Sequence, residues 1–195
     1  MSATVLYMSM SLDGFITGPD DDHDNGLGVN GHRLHDWLSD GADPASHRPS
    51  SVSGEVFDEL MATGAVVVGR RTFELAGGWA GDHHDGVPIF VLTQREPDGA
   101  TPRWPLVTYV TDVATAMARA KDAAGDRNVL VHGARTAQLA LDAGVLDELE
   151  IHQIPVLLGQ GRRLFDHLGP DHIELELARI VEAPGVTHLR YRVRR

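Results

Sequence analysis

Residues 65–74 read Ala-Val-Val-Val-Gly-Arg-Arg-Thr-Phe-Glu. A continuous apolar run over residues 65–68, mostly β-branched, marks a strand buried on both faces, since a half-wet strand would alternate. Gly69 ends the run, and two arginines, a threonine and Phe73 lead into a short helix over residues 71–75. A doubly buried strand that feeds straight into a helix is the building unit of an α/β sheet with helices on its faces.

The same alternation runs outward in both directions. Upstream, residues 4–10 predict a first strand, and residues 53–61 predict a helix capped by Ser53, with Val56, Phe57, Leu60 and Met61 on one face. Between them, residues 18–51 are rich in Gly, Asp, His, Pro and Ser, with one helical island at residues 33–38. A loop of that length is functional or disordered. We expect it to be the most mobile internal segment, with Leu34, Trp37 and Leu38 docking near a pocket as a lid.

Downstream, strands are predicted at residues 89–92, 106–110, 129–131 and 149–157, the last bulged by Pro155. Asp112 caps a helix that Gly125 ends, and residues 135–143 form a helix closed by Gly144. Ile173, Leu175 and Leu177 alternate with polar residues, as do Thr187, Leu189, Tyr191 and Val193, and Pro184-Gly185 turns between them. The fold class is therefore three-layer α/β, with a mixed, mostly parallel sheet and a C-terminal antiparallel hairpin. At 195 residues it is read as a single domain over 1–195.

The chain has no cysteine, which excludes a disulfide framework, thiolate catalysis and cysteine-ligated metals. A net charge of −11 argues against a nucleic-acid partner. The N-terminal MSATVLYMSMSLDGF has no basic n-region or long apolar stretch, so no signal peptide is expected. No window reaches the roughly 18 apolar residues of a membrane span. A cytoplasmic location with no membrane partner follows as an expectation.

Four segments sit just after predicted strands, where open α/β sheets bind ligands. Gly69-Arg70-Arg71-Thr72 offers a hydroxyl and guanidinium groups to an anion. Thr93-Gln94-Arg95 offers a hydroxyl, an amide and a cation, with no carboxylate at that strand end. His132-Gly133-Ala134-Arg135-Thr136 is a strand-to-helix turn of small residues that lets backbone approach a pyrophosphate, although the full GxGxxG pattern is absent. Ser11-Leu12-Asp13-Gly14-Phe15-Ile16 opens the long loop. Each alone reads equally as a polar turn.

Taken in order, SLDGFI, GRRTFE, VLTQR and the run Leu146-Asp147-Glu148-Leu149 … PVLLGQGRRLF (155–165) resemble the dihydrofolate-reductase-like family, above all the reductase domain of bacterial riboflavin biosynthesis. The resemblance covers nearly the whole chain. It implies NADPH as hydride donor and a small-molecule substrate, and relatives commonly form homodimers. It places Ser9 and Ile16 at the nicotinamide carboxamide. Gly69, Arg70, Arg71 and Thr72 fall at the phosphates, and Thr93, Gln94 and Arg95 at the adenosine phosphate. His132, Gly133, Ala134, Arg135 and Thr136 fall at the pyrophosphate, with Gly159 and Gly161 in a glycine-rich loop beside the pocket.

The chain departs from folate reductases in having His132-Gly133 where they show paired glycines, and in lacking a recognisable folate carboxylate motif. For the proton that a C=N or C=O reduction needs, the candidates are Asp58, Glu55 and, if the lid closes, Asp36. His83-His84, flanked by Asp82 and Asp85, is the densest histidine cluster. With no HExxH spacing it reads as a solvated loop, and no metal is expected. Trp37 and Trp79 read as core or pocket wall. A second reading stays open at this stage: a nucleotide- or small-molecule-binding protein of the same fold without turnover.

Overall fold

The computed structural model describes residues 2–39, 48–95 and 104–194. In chain order, β1 (Thr4–Ser11) and the short β2 (Phe15–Thr17) lead to a 3-10 helix (Gly31–Leu38) and then to α1 (Ser51–Met61). β3 (Ala65–Gly69) runs into α2 (Arg70–Leu75), followed by a 3-10 segment (Gly77–Gly81), β4 (Ile89–Leu92) and β5 (Val107–Val110). α3 (Val113–Ala124), β6 (Val129–His132), α4 (Ala134–Asp142) and β7 (Glu148–Ile154) complete the alternating part. β8 (Arg162–Arg163) pairs back with β2, and β9 (Leu175–Ala183) and β10 (Val186–Val193) form the hairpin.

The main sheet has 8 strands in the order β5-β4-β3-β6-β1-β7-β10-β9. All pairs from β5 to β7 are parallel, and β10 joins β7 antiparallel. Alternate side chains of the central strands feed two cores, as the period of a strand requires. Leu6, Val67, Val129 and Val131 pack with Ala116, Met117 and Ala120 of α3 and Ala137 and Ala140 of α4. Val5, Tyr7, Val66, Val68 and Leu130 pack on the other face with Phe73 of α2. Helix α3 begins and ends as its sequence dictates: Asp112 accepts a hydrogen bond from the Thr115 N–H at 2.7 Å, and Gly125 terminates it.

Four details differ from the sequence reading. The strand expected at residues 149–157 stops at Ile154, because Pro155 has no N–H to continue the ladder. Ser53 does not cap α1. The helix starts at Ser51, and the buried Ser53 hydroxyl lies 3.1 Å from His188 Nε2. The 3-10 segment Gly77–Gly81 was not anticipated, and it holds Trp79 and Ala80 in the left-handed region at φ 48 and 51. Nor was the two-stranded β2–β8 pair, which brings Arg163 over the Phe15 ring at 4.4 Å.

The helical island is anchored. Leu34 and Trp37 are buried with Ile154 and Val186, and Trp37 Nε1 donates to Ser9 Oγ at 2.9 Å. It docks at the pocket wall, with Trp37 and Leu38 facing the cleft. Residues 40–47 of the expected mobile stretch lie outside the described residues.

Candidate active site

The carboxyl ends of β1, β3, β4, β6 and β7 open into one cleft of about 1430 Å³. Ends of parallel strands place backbone amides, helix starts and short polar side chains at one rim, which is where α/β sheets hold ligands. Of the sixteen residues assigned to a cofactor, fifteen line this cleft: Ser9, Ile16, Gly69, Arg70, Arg71, Thr72, Thr93, Gln94, Arg95, His132, Gly133, Ala134, Arg135, Thr136 and Gly161. Gly159 lies behind it, where its N–H donates to Asp13 Oδ2 at 2.7 Å. Asp13 also accepts from the Leu158 N–H and the Ser11 hydroxyl. The Ser11 bond, with the two backbone donors, holds its carboxyl down at about 2. Gly161 needs to be glycine: a Cβ there would stand 1.9 Å from the Thr17 carbonyl oxygen.

The ends of β3 and β6 form a cradle. A Cβ on Gly133 would meet Thr72 Oγ1 at 2.6 Å, and one on Gly69 would meet Thr136 Oγ1 at 2.9 Å. Each bare glycine thus faces a threonine hydroxyl across the strand gap. Thr136 is buried, and its hydroxyl has no hydrogen-bond partner among the described residues. Beside it, α4 starts with the free N–H groups that every helix leaves in its first turn. Bare backbone, an unpartnered hydroxyl and a helix start match the donor set a pyrophosphate needs. The residues present therefore fit a dinucleotide.

The cationic groups are less free than their sequence suggests. Arg70 Nε lies 2.6 Å from Glu74 Oε1, and Arg71 pairs with Asp21 at 3.0 Å. Both carboxylates line the cleft. The two arginines after β3 are thus met by carboxylates: Glu74 is one helical turn from Arg70, and the chain after β2 brings Asp21 to Arg71. Arg95 is exposed and has no ion pair with any described residue.

The other half of the cleft is walled by Phe57, Leu60, Met61, Leu38, Trp37 and His152. His152 Nδ1 lies 2.8 Å from His188 Nδ1, and His188 Nε2 reaches the Ser53 hydroxyl. His152 Nε2 is buried without a partner among the described residues. Burial holds the pKa of His152 well below the usual imidazole value and pushes that of His188 down to about 4.

A model of the RibD C-terminal domain matches residues 3–189. The chain belongs to that family. Its fold is shared with several solved structures. One is a putative riboflavin biosynthesis protein from Shewanella sp. PV-4, at a TM-score of 0.74 and 22% identity over 99% of both chains. Another is a pyrimidine reductase-like protein from Corynebacterium diphtheriae, at 0.61 and 14%, covering 100% of this chain and 92% of that one. A third is a diaminohydroxyphosphoribosylaminopyrimidine deaminase/5-amino-6-(5-phosphoribosylamino)uracil reductase from Thermotoga maritima, at 0.63 and 13%. The present chain covers 56% of that longer protein. No curated protein matches in sequence.

The three carboxylates taken as proton donors do not reach the cleft of this RibD-family domain. Asp58 is held by Arg48, whose hydrogen bond lowers its pKa. Glu55 is exposed on the same helix, and Asp36 pairs with Arg33 at 3.4 Å. The apolar face of α1 turns Phe57, Leu60 and Met61 inward, so Glu55 and Asp58 point outward. Sequence reasoning missed His83, and it gave His132 to the pyrophosphate alone. His83 and His132 line the cleft, and His84 is buried behind His83 rather than solvated. Among the described residues no group of three or more His, Cys, Asp or Glu is arranged to hold a metal ion, and no helix is long and apolar enough to cross a membrane.

Proposed function

We propose that this chain is an NADPH-dependent reductase that adds hydride to a C=N or C=O of a small heterocycle, with a pyrimidine as the favoured class. The observation that carries the reading is the cradle at the ends of β3 and β6, where Gly69 and Gly133 stay bare opposite Thr136 and Thr72. Membership of the RibD C-terminal family supports reductase chemistry. The names of the Thermotoga and Corynebacterium proteins support a pyrimidine over a pterin.

When bound, the reduced nicotinamide supplies the hydride. The protein supplies placement. Thr72, Gly133 and the start of α4 would hold the pyrophosphate, and Thr93, Gln94, Arg95 and Arg70 the ribose phosphate. Ser9 and Ile16 would fix the nicotinamide end. The flat substrate would lie between Trp37 and the apolar side chains of Phe57 and Met61. His152 Nε2, buried and unpartnered, would bind one polar ring atom, since an unpaired buried nitrogen discriminates strongly for a ligand that satisfies it.

The reading includes a homodimer in the cytoplasm, with no nucleic-acid or membrane partner. Edge strand β9 exposes Leu175, Leu177 and Ile180, which supports a self-association face. Light scattering of the wild type and Leu177→Glu tests it, and a monomeric wild type removes the dimer from the account. The functional test is loss of reduced-nicotinamide absorbance with pyrimidine, pterin and imine substrates. Saturable NADPH binding without oxidation of any of them would replace the enzyme by a binding protein of the same fold.

A further inference from the structure

Three imidazoles form an unbroken chain between two backbone carbonyls. His132 Nδ1 lies 2.9 Å from the Tyr7 carbonyl oxygen. His132 Nε2 lies 3.3 Å from His83 Nε2, and His83 Nδ1 lies 2.7 Å from His84 Nδ1. His84 Nε2 lies 3.2 Å from the Thr63 carbonyl oxygen and 3.3 Å from the Thr63 hydroxyl. The ring nitrogens face one another in series and share no common centre, which is why the cluster is a wire and not a metal site.

Counting protons shows what the wire can do. A carbonyl only accepts, so both ends require an N–H. Each nitrogen–nitrogen contact needs one proton. Four contacts therefore need four protons, while three neutral imidazoles carry three. The neutral wire closes only if the Thr63 hydroxyl donates to His84 Nε2, giving up its 2.8 Å bond to the Leu60 carbonyl. The wire with one extra proton closes with His84 Nε2–H donating to the Thr63 carbonyl. Two complete hydrogen-bond patterns thus differ by one proton and one hydroxyl rotation.

We propose that Thr63, His84, His83 and His132 form a proton relay that opens into the cleft, and that it delivers the proton consumed by the reduction. The second half rests on the reductase reading above. The 3.3 Å contact between His83 and His132 lies at the cleft wall, where a ligand atom can take the place of one imidazole. In the balanced step, hydride from the reduced dinucleotide forms the C–H bond and the C=N or C=O π pair moves to the heteroatom. That atom takes the N–H proton of the imidazolium at this contact. The dinucleotide leaves oxidised, the wire returns to its neutral pattern as the Thr63 hydroxyl turns back to His84, and water restores the proton.

The surroundings favour the neutral wire at rest. A charge on His35 of the 3-10 helix Gly31–Leu38 would oppose one on His132, and Trp79 packs on His83 with centroids 4.6 Å apart. Arg127 approaches the Thr63 carbonyl at 3.4 Å. The Tyr7 phenol is held neutral by burial, with its pKa raised to about 12. Asp82 and Asp85, the neighbouring carboxylates, are exposed. Burial and the other imidazoles push His83 down to about 2, and burial pushes His132 down to about 4. A proton on the wire is therefore held weakly and given up readily, and an anionic ligand in the cleft favours its uptake.

The test is nitrogen-15 NMR of the histidines in the wild type, Thr63→Val and Thr63→Ser. At neutral pH the wild type should show His132 protonated on Nδ1, His83 on Nε2 and His84 on Nδ1. Thr63→Val removes the hydroxyl that the neutral pattern needs and keeps the carbonyl that the charged pattern needs. The hydroxyl makes one bond in either pattern, to His84 or to the Leu60 carbonyl, so its loss should leave the apparent pKa of the wire close to that of the wild type and move the neutral His84 proton from Nδ1 to Nε2, where it meets the Thr63 carbonyl. Thr63→Ser should restore the wild-type tautomer. A neutral His84 tautomer identical in Thr63→Val and wild type, or His84 protonated on Nε2 in the neutral wild type, overturns the relay. His84→Leu, behind the cleft wall, should lower kcat by about a hundredfold, the low end for a lost general acid, and should leave NADPH affinity unchanged. Unchanged kcat overturns the catalytic half. Loss of NADPH binding in the wild type overturns the reductase reading itself, and the NMR result then still decides the relay.

Discussion

Arg70 and Glu74 set up a competition at the corner assigned to the ribose phosphate. Their side chains lie 2.6 Å apart and each is 39% exposed. An ion pair that open to solvent is worth about 0–1 kcal/mol. A charge-assisted bond from a guanidinium to a phosphate is worth about 1.5–3 kcal/mol. Detaching Arg70 from Glu74 therefore leaves a net gain of about 1–2 kcal/mol, and Arg70→Ala should weaken NADPH by about 5- to 30-fold. Glu74→Gln removes the competitor and should tighten NADPH by about 2- to 5-fold, as 0–1 kcal/mol allows at its upper end. Arg95 has no competing carboxylate among the described residues. Arg95→Ala should cost the full bond, about 10- to 100-fold. NADH lacks the phosphate and should respond to none of the three. The assay is calorimetric titration of each variant with both cofactors. Equal losses for NADPH and NADH, or weaker NADPH binding in Glu74→Gln, would refute the placement of the ribose phosphate at this corner.

Further outcomes follow from the same geometry. Gly69 has φ −73, so alanine fits the backbone, but its Cβ would stand 2.9 Å from Thr136 Oγ1; Gly69→Ala should keep its thermal midpoint within a few degrees while NADPH affinity drops at least tenfold, one decade being about 1.4 kcal/mol. Glu150 is fully buried between Arg179 and Arg190, so Arg190→Ala should destabilise the fold by about 1.5–3 kcal/mol in urea unfolding, because it removes the Glu148 bond at 2.7 Å and leaves the buried carboxylate to Arg179 alone. His188 is fully buried, with its pKa held at about 4 against an ordinary 6.5. Its folded pKa lies below the unfolded one, so its contribution is complete above pH 6.5 and is lost as pH falls from there to about 4. That amounts to about 3 kcal/mol. His188→Gln should flatten this part of the stability profile, and an unchanged slope would show that His188 is not its source.

Strand and helix positions were legible because the central strands are buried on both faces and carry unbroken apolar runs. The bare-glycine cradle at the ends of β3 and β6 was legible for a related reason: strand-end glycines and threonines sit at fixed offsets from those runs. Local sequence could not show which charges meet across the fold. Asp21 and Arg71 are 50 residues apart in sequence and meet only in the fold. Glu55 and Asp58 were proton-donor candidates because folate reductases carry a carboxylate near the start of this helix, but α1 turns its polar face to solvent and both are exposed. His83-His84 was taken for a solvated loop because nothing local announces that the left-handed Trp79 and the end of β6 close over it.

The most direct test of the account is calorimetric titration of the purified wild type with NADPH, followed by the same titration of Gly69→Ala. The expected result is one saturable site per chain, strongly weakened when the Gly69 side of the cradle is filled. No saturable heat at millimolar NADPH, or identical binding to both proteins, would contradict the claim that the ends of β3 and β6 form a dinucleotide site.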